Sequence, residues 1–228
     1  MTGLSWLGRL SALASLDDGN RRRLYEHVCR ETHAVSRDDA AMALGLPRST
    51  ASFHLDRLVR DGLLSVEFRK LGGKVGPGSG RPAKLYSPVL AEIGASVPER
   101  HYDLAGEVMA SAIQSMVTSG GAPLETLLDT AYARGRAAAG PGAESTTSEP
   151  VFEDVLSALG YRPESDDDGG FALLNCPFHR LAADHSDVVC ALNGAFLSGA
   201  ASVCGIAQDR LAGDDREGHC CARIRPAG

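Results

Sequence analysis

Apolar positions recur along the chain in runs whose periods predict its elements. Leu24, Tyr25 and Val28 mark one side of a helix over residues 21–30. Ser36, with the acidic Asp39 three places on, is a capping-box-like start. The helix it opens, 38–44, stops at Gly45, a residue suited to the left-handed conformation that ends helices. A further helix opens at Leu46-Pro47-Arg48-Ser49-Thr50, with proline tolerated near the first turn. Its apolar positions Ala51, Leu55, Leu58 and Val59 keep helical spacing up to Asp61-Gly62. Helix, short glycine turn, helix is the helix-turn-helix pattern. Residues 64–68 then alternate as a strand, 71–80 are glycine-rich, and 81–86 form a basic returning strand. A hairpin in that place is the wing of a winged helix.

Two helices follow, at 101–118 with Leu104, Val108, Ala112 and Met116 on one face, and at 124–138 with Leu124, Leu127, Leu128 and Ala131. Pro98, the turn 120–123 and Gly140-Pro141-Gly142 punctuate them, and 143–149 reads as a loose linker. Their apolar faces suit either a dimer interface or packing on the C-terminal part. Dimerisation is the preferred reading, because helix-turn-helix proteins commonly meet two half-sites with two subunits. Beyond them, the pattern predicts a helix over 151–159 ending at Gly160, an acidic turn at 164–170 and a strand at 171–175. A short helix at 181–184, a longer one at 187–203 and a final strand within 218–224 complete it. The expected fold is α+β. It comprises a winged helix-turn-helix domain (1–88), a helical dimerisation segment and linker (89–147), and a small α/β sensor domain with a cysteine-rich metal site (148–228).

Charge sharpens this division. The net charge of −6 splits into +5 over residues 1–86 and −11 over the remainder. A basic N-terminal part joined to an acidic one points to a polyanion met by the first alone. On the second helix of the pair, Arg48, Ser49, Thr50, Ser52 and Arg57 supply the small polar and basic groups that read base edges and phosphates, with His54 placed on the same side. Leu55 and Leu58 face the core. Lys74, Arg81 and Lys84 of the wing are offered to phosphates or the minor groove. The partner expected is an operator in double-stranded DNA. No stretch approaches the ~20 apolar residues of a membrane span, and no signal-peptide pattern opens the chain, so the protein is read as soluble and cytoplasmic.

Five of the six cysteines lie beyond residue 175. In a cytosolic chain such crowding favours a metal or redox site over disulfides. Cys176 follows a strand, Cys190 sits near the start of a helix, where the dipole favours a thiolate, and Cys220-Cys221 open the last strand. Strand alternation sends only one of that pair to each face, making one a ligand and the other a bystander. His179, in a Cys-x-x-His spacing with Cys176, either shares the metal or caps a helix. Cys29 reads as a small core residue, and Cys204, four turns beyond Cys190, as core. No phosphate-cradling loop, nucleophile elbow or paired carboxylates accompany these residues, and catalysis is not expected.

The wing Gly80-Arg81-Pro82-Ala83-Lys84-Leu85-Tyr86, the segment Asn175-Cys176-Pro177-Phe178-His179, the run Val188-Val189-Cys190-Ala191-Leu192-Asn193 and the terminal Cys220-Cys221-Ala222-Arg223-Ile224 carry a resemblance. Together they resemble the iron–sulfur-sensing repressors of the SUF operon, the SufR family, and their broader actinobacterial relatives described as ArsR-like or DeoR-like. The resemblance implies a homodimeric repressor with one iron–sulfur cluster per subunit, 4Fe–4S rather than 2Fe–2S, held by Cys176, Cys190, Cys220 and a fourth ligand. It implies that the cluster-bound form holds DNA. Cys221 and His179 leave the fourth ligand open. They also leave open zinc, for which Cys₃His is a complete set, or a small-molecule effector, in a regulator of the same architecture.

Overall fold

Side-chain caps and left-handed glycines set the helix ends in the computed structural model, which describes residues 4–69, 82–140, 149–216 and 219–226. The chain divides into two compact units, 1–95 and 96–228.

In the first unit, α1 (Trp6–Ser15) precedes α2 (Gly19–Arg30), whose first amides donate to the Asp18 carboxylate at 3.0 Å. β1 (Val35–Ser36) leads into α3 (Arg37–Leu44). The Ser36 hydroxyl accepts from the Asp39 amide (3.1 Å) and donates to the Asp39 carboxylate (2.7 Å). Gly45 stops α3 at φ +65°, and the Leu46 amide closes back onto Ala41. Then come α4 (Arg48–Arg60), β2 (Leu64–Arg69) and β3 (Ala83–Pro88). The sheet is antiparallel in the order β1-β3-β2, with Val66 opposite Tyr86. Leu24, Val28, Leu55, Leu58, Leu64 and Tyr86 fill the core beneath it. The expected helix-turn-helix and hairpin are present. The tip of the hairpin, with Lys74 and Arg81, lies outside the described residues.

The second unit begins with α5 (Tyr102–Ser119) and α6 (Pro123–Ala139). These helices do not form a segment of their own, as the expected boundaries at 89–147 required; they pack with the C-terminal elements in one unit. The reason is a close helix crossing. α6 lies against α9 (Ser186–Val203) with Gly135 and Gly199 at the contact. A Cβ on Gly135 would stand 1.9 Å from the Phe196 carbonyl oxygen, and one on Gly199 would stand 2.0 Å from that of Tyr132. The remaining elements are α7 (Glu149–Ala158), β4 (Pro163–Ser165), β5 (Phe171–Leu173), α8 (His179–Asp184), a 3-10 turn (Gln208–Arg210), β6 (Leu211–Gly213) and β7 (Ala222–Ile224). Their antiparallel sheet runs β4-β5-β7-β6. Among the described residues α9 is the one helix long and apolar enough to cross a membrane; half of it is buried in this unit's core, which accounts for its composition.

Candidate nucleic-acid interface and thiol centre

The outer side of α4 carries Ser49, Ser52, Phe53, Asp56, Arg57 and Arg60, from half-buried to exposed, with Thr50 half-buried beside them. Three of the expected basic contacts are held by carboxylates. Arg48 pairs with Asp38, Arg57 with Asp61 at 2.9 Å, and Lys84 with Asp56 at 2.8 Å. Arg48, Lys84, Ser36, Arg37 and Asp38 line one cleft with Pro82 and Ala83, where the amino ends of α3 and α4 meet β3. Helix amino ends with arginine and lysine suit a phosphate. Arg37 was not among the expected residues, although its place after the Ser36 cap was legible. His54 is a correction. It is buried, with Nδ1 3.8 Å from the Asp18 carboxylate. Positions 51, 54, 55 and 58 form one helical stripe, which turns His54 to the core with Ala51, Leu55 and Leu58.

In the second unit, strand pairing brings the cysteines together. β5 and β7 run antiparallel, so the end of one lies beside the start of the other. The Cys220 amide donates to the Leu173 carbonyl at 2.8 Å, extending that pairing toward Cys176. Cys220 and Cys221 precede β7 rather than occupying it, so strand alternation does not divide them. The Asn193 side-chain amide donates to both sulfurs, at 3.3 Å to Cys220 and 3.6 Å to Cys221. Asn193 is buried on α9, and its Oδ1 accepts from the Tyr161 hydroxyl at 2.6 Å. Cys221 lies close enough to Cys190, and Cys220 to Cys176, for the thiols of each pair to shift one another's ionisation. Cys221 thus stands with the other three cysteines rather than apart from them. The four thiols form a chain, 176–220–221–190. Among the described residues no three or more His, Cys, Asp or Glu side chains are gathered about one point in a ready metal cage.

The other candidates lie elsewhere. His179 opens α8 as an exposed residue whose amide donates to the Cys176 carbonyl at 3.1 Å; the thiol contacts do not involve its ring. Cys204 caps the far end of α9 within the core. Cys29 is exposed on α2 and not a core residue, because the buried stripe of that helix is Leu24 and Val28.

Residues 16–67 match the family model of a helix-turn-helix domain. The first unit is thus a DNA-binding helix-turn-helix domain, and the chain that carries it is a transcription regulator. No curated protein and no solved structure matches the chain.

Beside this helix-turn-helix domain, the second unit contributes a polarised group of thiols. A hydrogen bond from Cys220 lowers Cys221 to about 6 against the cost of burial, with Cys190 and the Asn193 amide adding to it. Cys220 is also the main cause that lowers Cys176, which competes with Cys221 for its single S–H; the Phe178 amide and the Arg100 guanidinium help. Burial, then the neighbouring Cys221 and Cys176, push Cys190 up to about 12, opposite in direction to the shift expected from its place at a helix start. Arg100 is fixed by donating to the Asn175 side chain and, at 3.0 Å, to the Cys176 carbonyl. Four sulfurs with amide and guanidinium donors fit a thiolate-bound iron–sulfur cluster or zinc by their chemistry. The sequence names Asn193 only as the end of the run 188–193 and gives it no role at the thiols. Its one signal is its place three residues after Cys190, on the same helix face.

Proposed function

We propose that the protein is a homodimeric repressor whose hold on its operator depends on an iron–sulfur cluster in the second unit, 4Fe–4S rather than 2Fe–2S. The observation that carries this reading is the meeting of Cys176, Cys190, Cys220 and Cys221 from three separate segments, in a chain whose other unit is a helix-turn-helix domain. Those cysteines are the ligands, with Cys221 in the fourth place that His179 does not reach. When bound, the cluster supplies an oxidant- and iron-sensitive tie between the segments. The chain's own groups prepare for it. Asn193 donates hydrogen bonds to two sulfurs, Arg100 offsets negative charge at Cys176, and half-buried Cys190 and Cys221 leave solvent a route to the site. The second reading is zinc, favoured by the same four sulfurs, since Cys₄ is a complete tetrahedral set.

Purification without air, followed by an absorption spectrum and iron and sulfide assays, tests the reading. A visible chromophore is expected, with operator binding that weakens when it is destroyed by oxidant or chelator. Cys176→Ser, Cys190→Ser, Cys220→Ser and Cys221→Ser should each lose the chromophore and bind operator as weakly as the stripped protein. His179→Ala, Cys29→Ser and Cys204→Ser should keep both properties. Stoichiometric zinc without iron, and operator binding indifferent to chelators, would remove the cluster and leave the regulator.

A further inference from the structure

Phe53 is 68% exposed on the outer side of α4, between the hydroxyl of Ser52 and the carboxylate of Asp56. A large apolar ring facing water on a helix otherwise lined with small polar and ionic groups has no packing role in its own unit. Its orientation is nonetheless set, because the ring meets the buried His54 edge-on, with centroids 5.2 Å apart and planes at 75°. Position 53 also lies in the amino-terminal half of the second helix of the motif, the part that approaches base edges in a major groove. The neighbouring Arg48 and Arg57 are held by Asp38 and Asp61, and Asp56 is occupied by Lys84 and Tyr86. Beside the hydroxyls of Ser49 and Ser52 and the exposed Arg60, Phe53 is the one large exposed apolar group of that helix among the described residues. The major groove offers one apolar group for it, the C5 methyl of thymine.

We propose that Phe53 reads a thymine methyl group in each operator half-site, making it a specificity-determining residue of the helix-turn-helix domain. The proposal rests on the DNA-binding reading of that domain and not on any metal. Duplexes selected by the wild-type protein from a random pool provide the operator. Each thymine is then replaced in turn by deoxyuridine, which removes the methyl and leaves every hydrogen-bonding group in place. Affinity is read by fluorescence anisotropy. In the wild type, one thymine position per half-site should show a loss of about fourfold, the equivalent of one buried methyl group. Phe53→Ala should bind the parent operator more weakly and be indifferent to uracil at that position. Because the ring is exposed, the variant keeps its core. Wild-type binding indifferent to uracil everywhere, or the same uracil penalty in Phe53→Ala, would overturn the proposal. Failure of the wild type, purified without air as above, to select any duplex would instead overturn the DNA-binding reading itself.

Discussion

Asp56 stands on the helix meant to approach a polyanion, and the fold neutralises it from two sides. Lys84 and the Tyr86 hydroxyl each lie 2.8 Å from the same carboxylate oxygen. Burial raises the Asp56 carboxyl, but these hydrogen bonds outweigh it and hold the group below its ordinary value. A carboxyl depressed in the folded state stabilises above its unfolded pKa of about 3.9, and the contribution is lost as pH falls through the folded value. Asp56→Asn should therefore lower stability at pH 7, with the deficit against the wild type shrinking below about pH 4. Urea denaturation over that range measures it, and a deficit unchanged at pH 3 would contradict the assignment. At this scale the sequence was partly legible. The cysteine crowding and Ser36 cap could be read directly, and the core placement of His54 was present in its spacing with Ala51 and Leu58. The pairing of Cys221 with Cys220 could not be read, because it depends on β7 beginning one residue after Cys221.

Longer periodic elements were the most legible. The stripes of α4 and α9 and the wing hairpin follow from spacing, whereas β4 and β6 span three residues each, too few to show a period. α1 escaped notice because its run, WLGRLSALAS, mixes small and polar residues, with Ala12 and Ser15 buried. The α6–α9 crossing was invisible for another reason: glycine leaves no mark in an apolar pattern, and the crossing depends on the missing side chains of Gly135 and Gly199. Gly135→Ala should destabilise by about 1–3 kcal/mol through overpacking. A Cβ on Gly194, which lies in α9 with Gly199, meets open space. Gly194→Ala should thus be neutral or stabilising, by up to about 1 kcal/mol from helix propensity. Equal effects of the two substitutions in urea denaturation would refute the account.

At the scale of the whole molecule, the chain divides into two compact units whose boundary falls at 95/96, which places α5 and α6 with the thiols. The expected dimer faces are consumed inside that unit: Val108, Ala112, Leu127 and Ala131 belong to its core. The homodimer proposed above would have to use what remains. Ile113 and Val117, four residues apart on the outer side of α5, are 57% and 77% exposed, and Leu124 is 52% exposed at the start of α6. Val117→Glu should give a monomer in sedimentation velocity at micromolar concentration and bind operator weakly, because it loses the second half-site. A monomeric wild type under the same conditions would refute the interface. The glycine crossing has a mechanical consequence here. At Gly135 and Gly199, α6 and α9 meet backbone to backbone, where there is no side chain to take up slack by changing rotamer. Were α9 displaced at Cys190, these two contacts would hand the displacement to α6 directly, since close-packed backbone transmits strain.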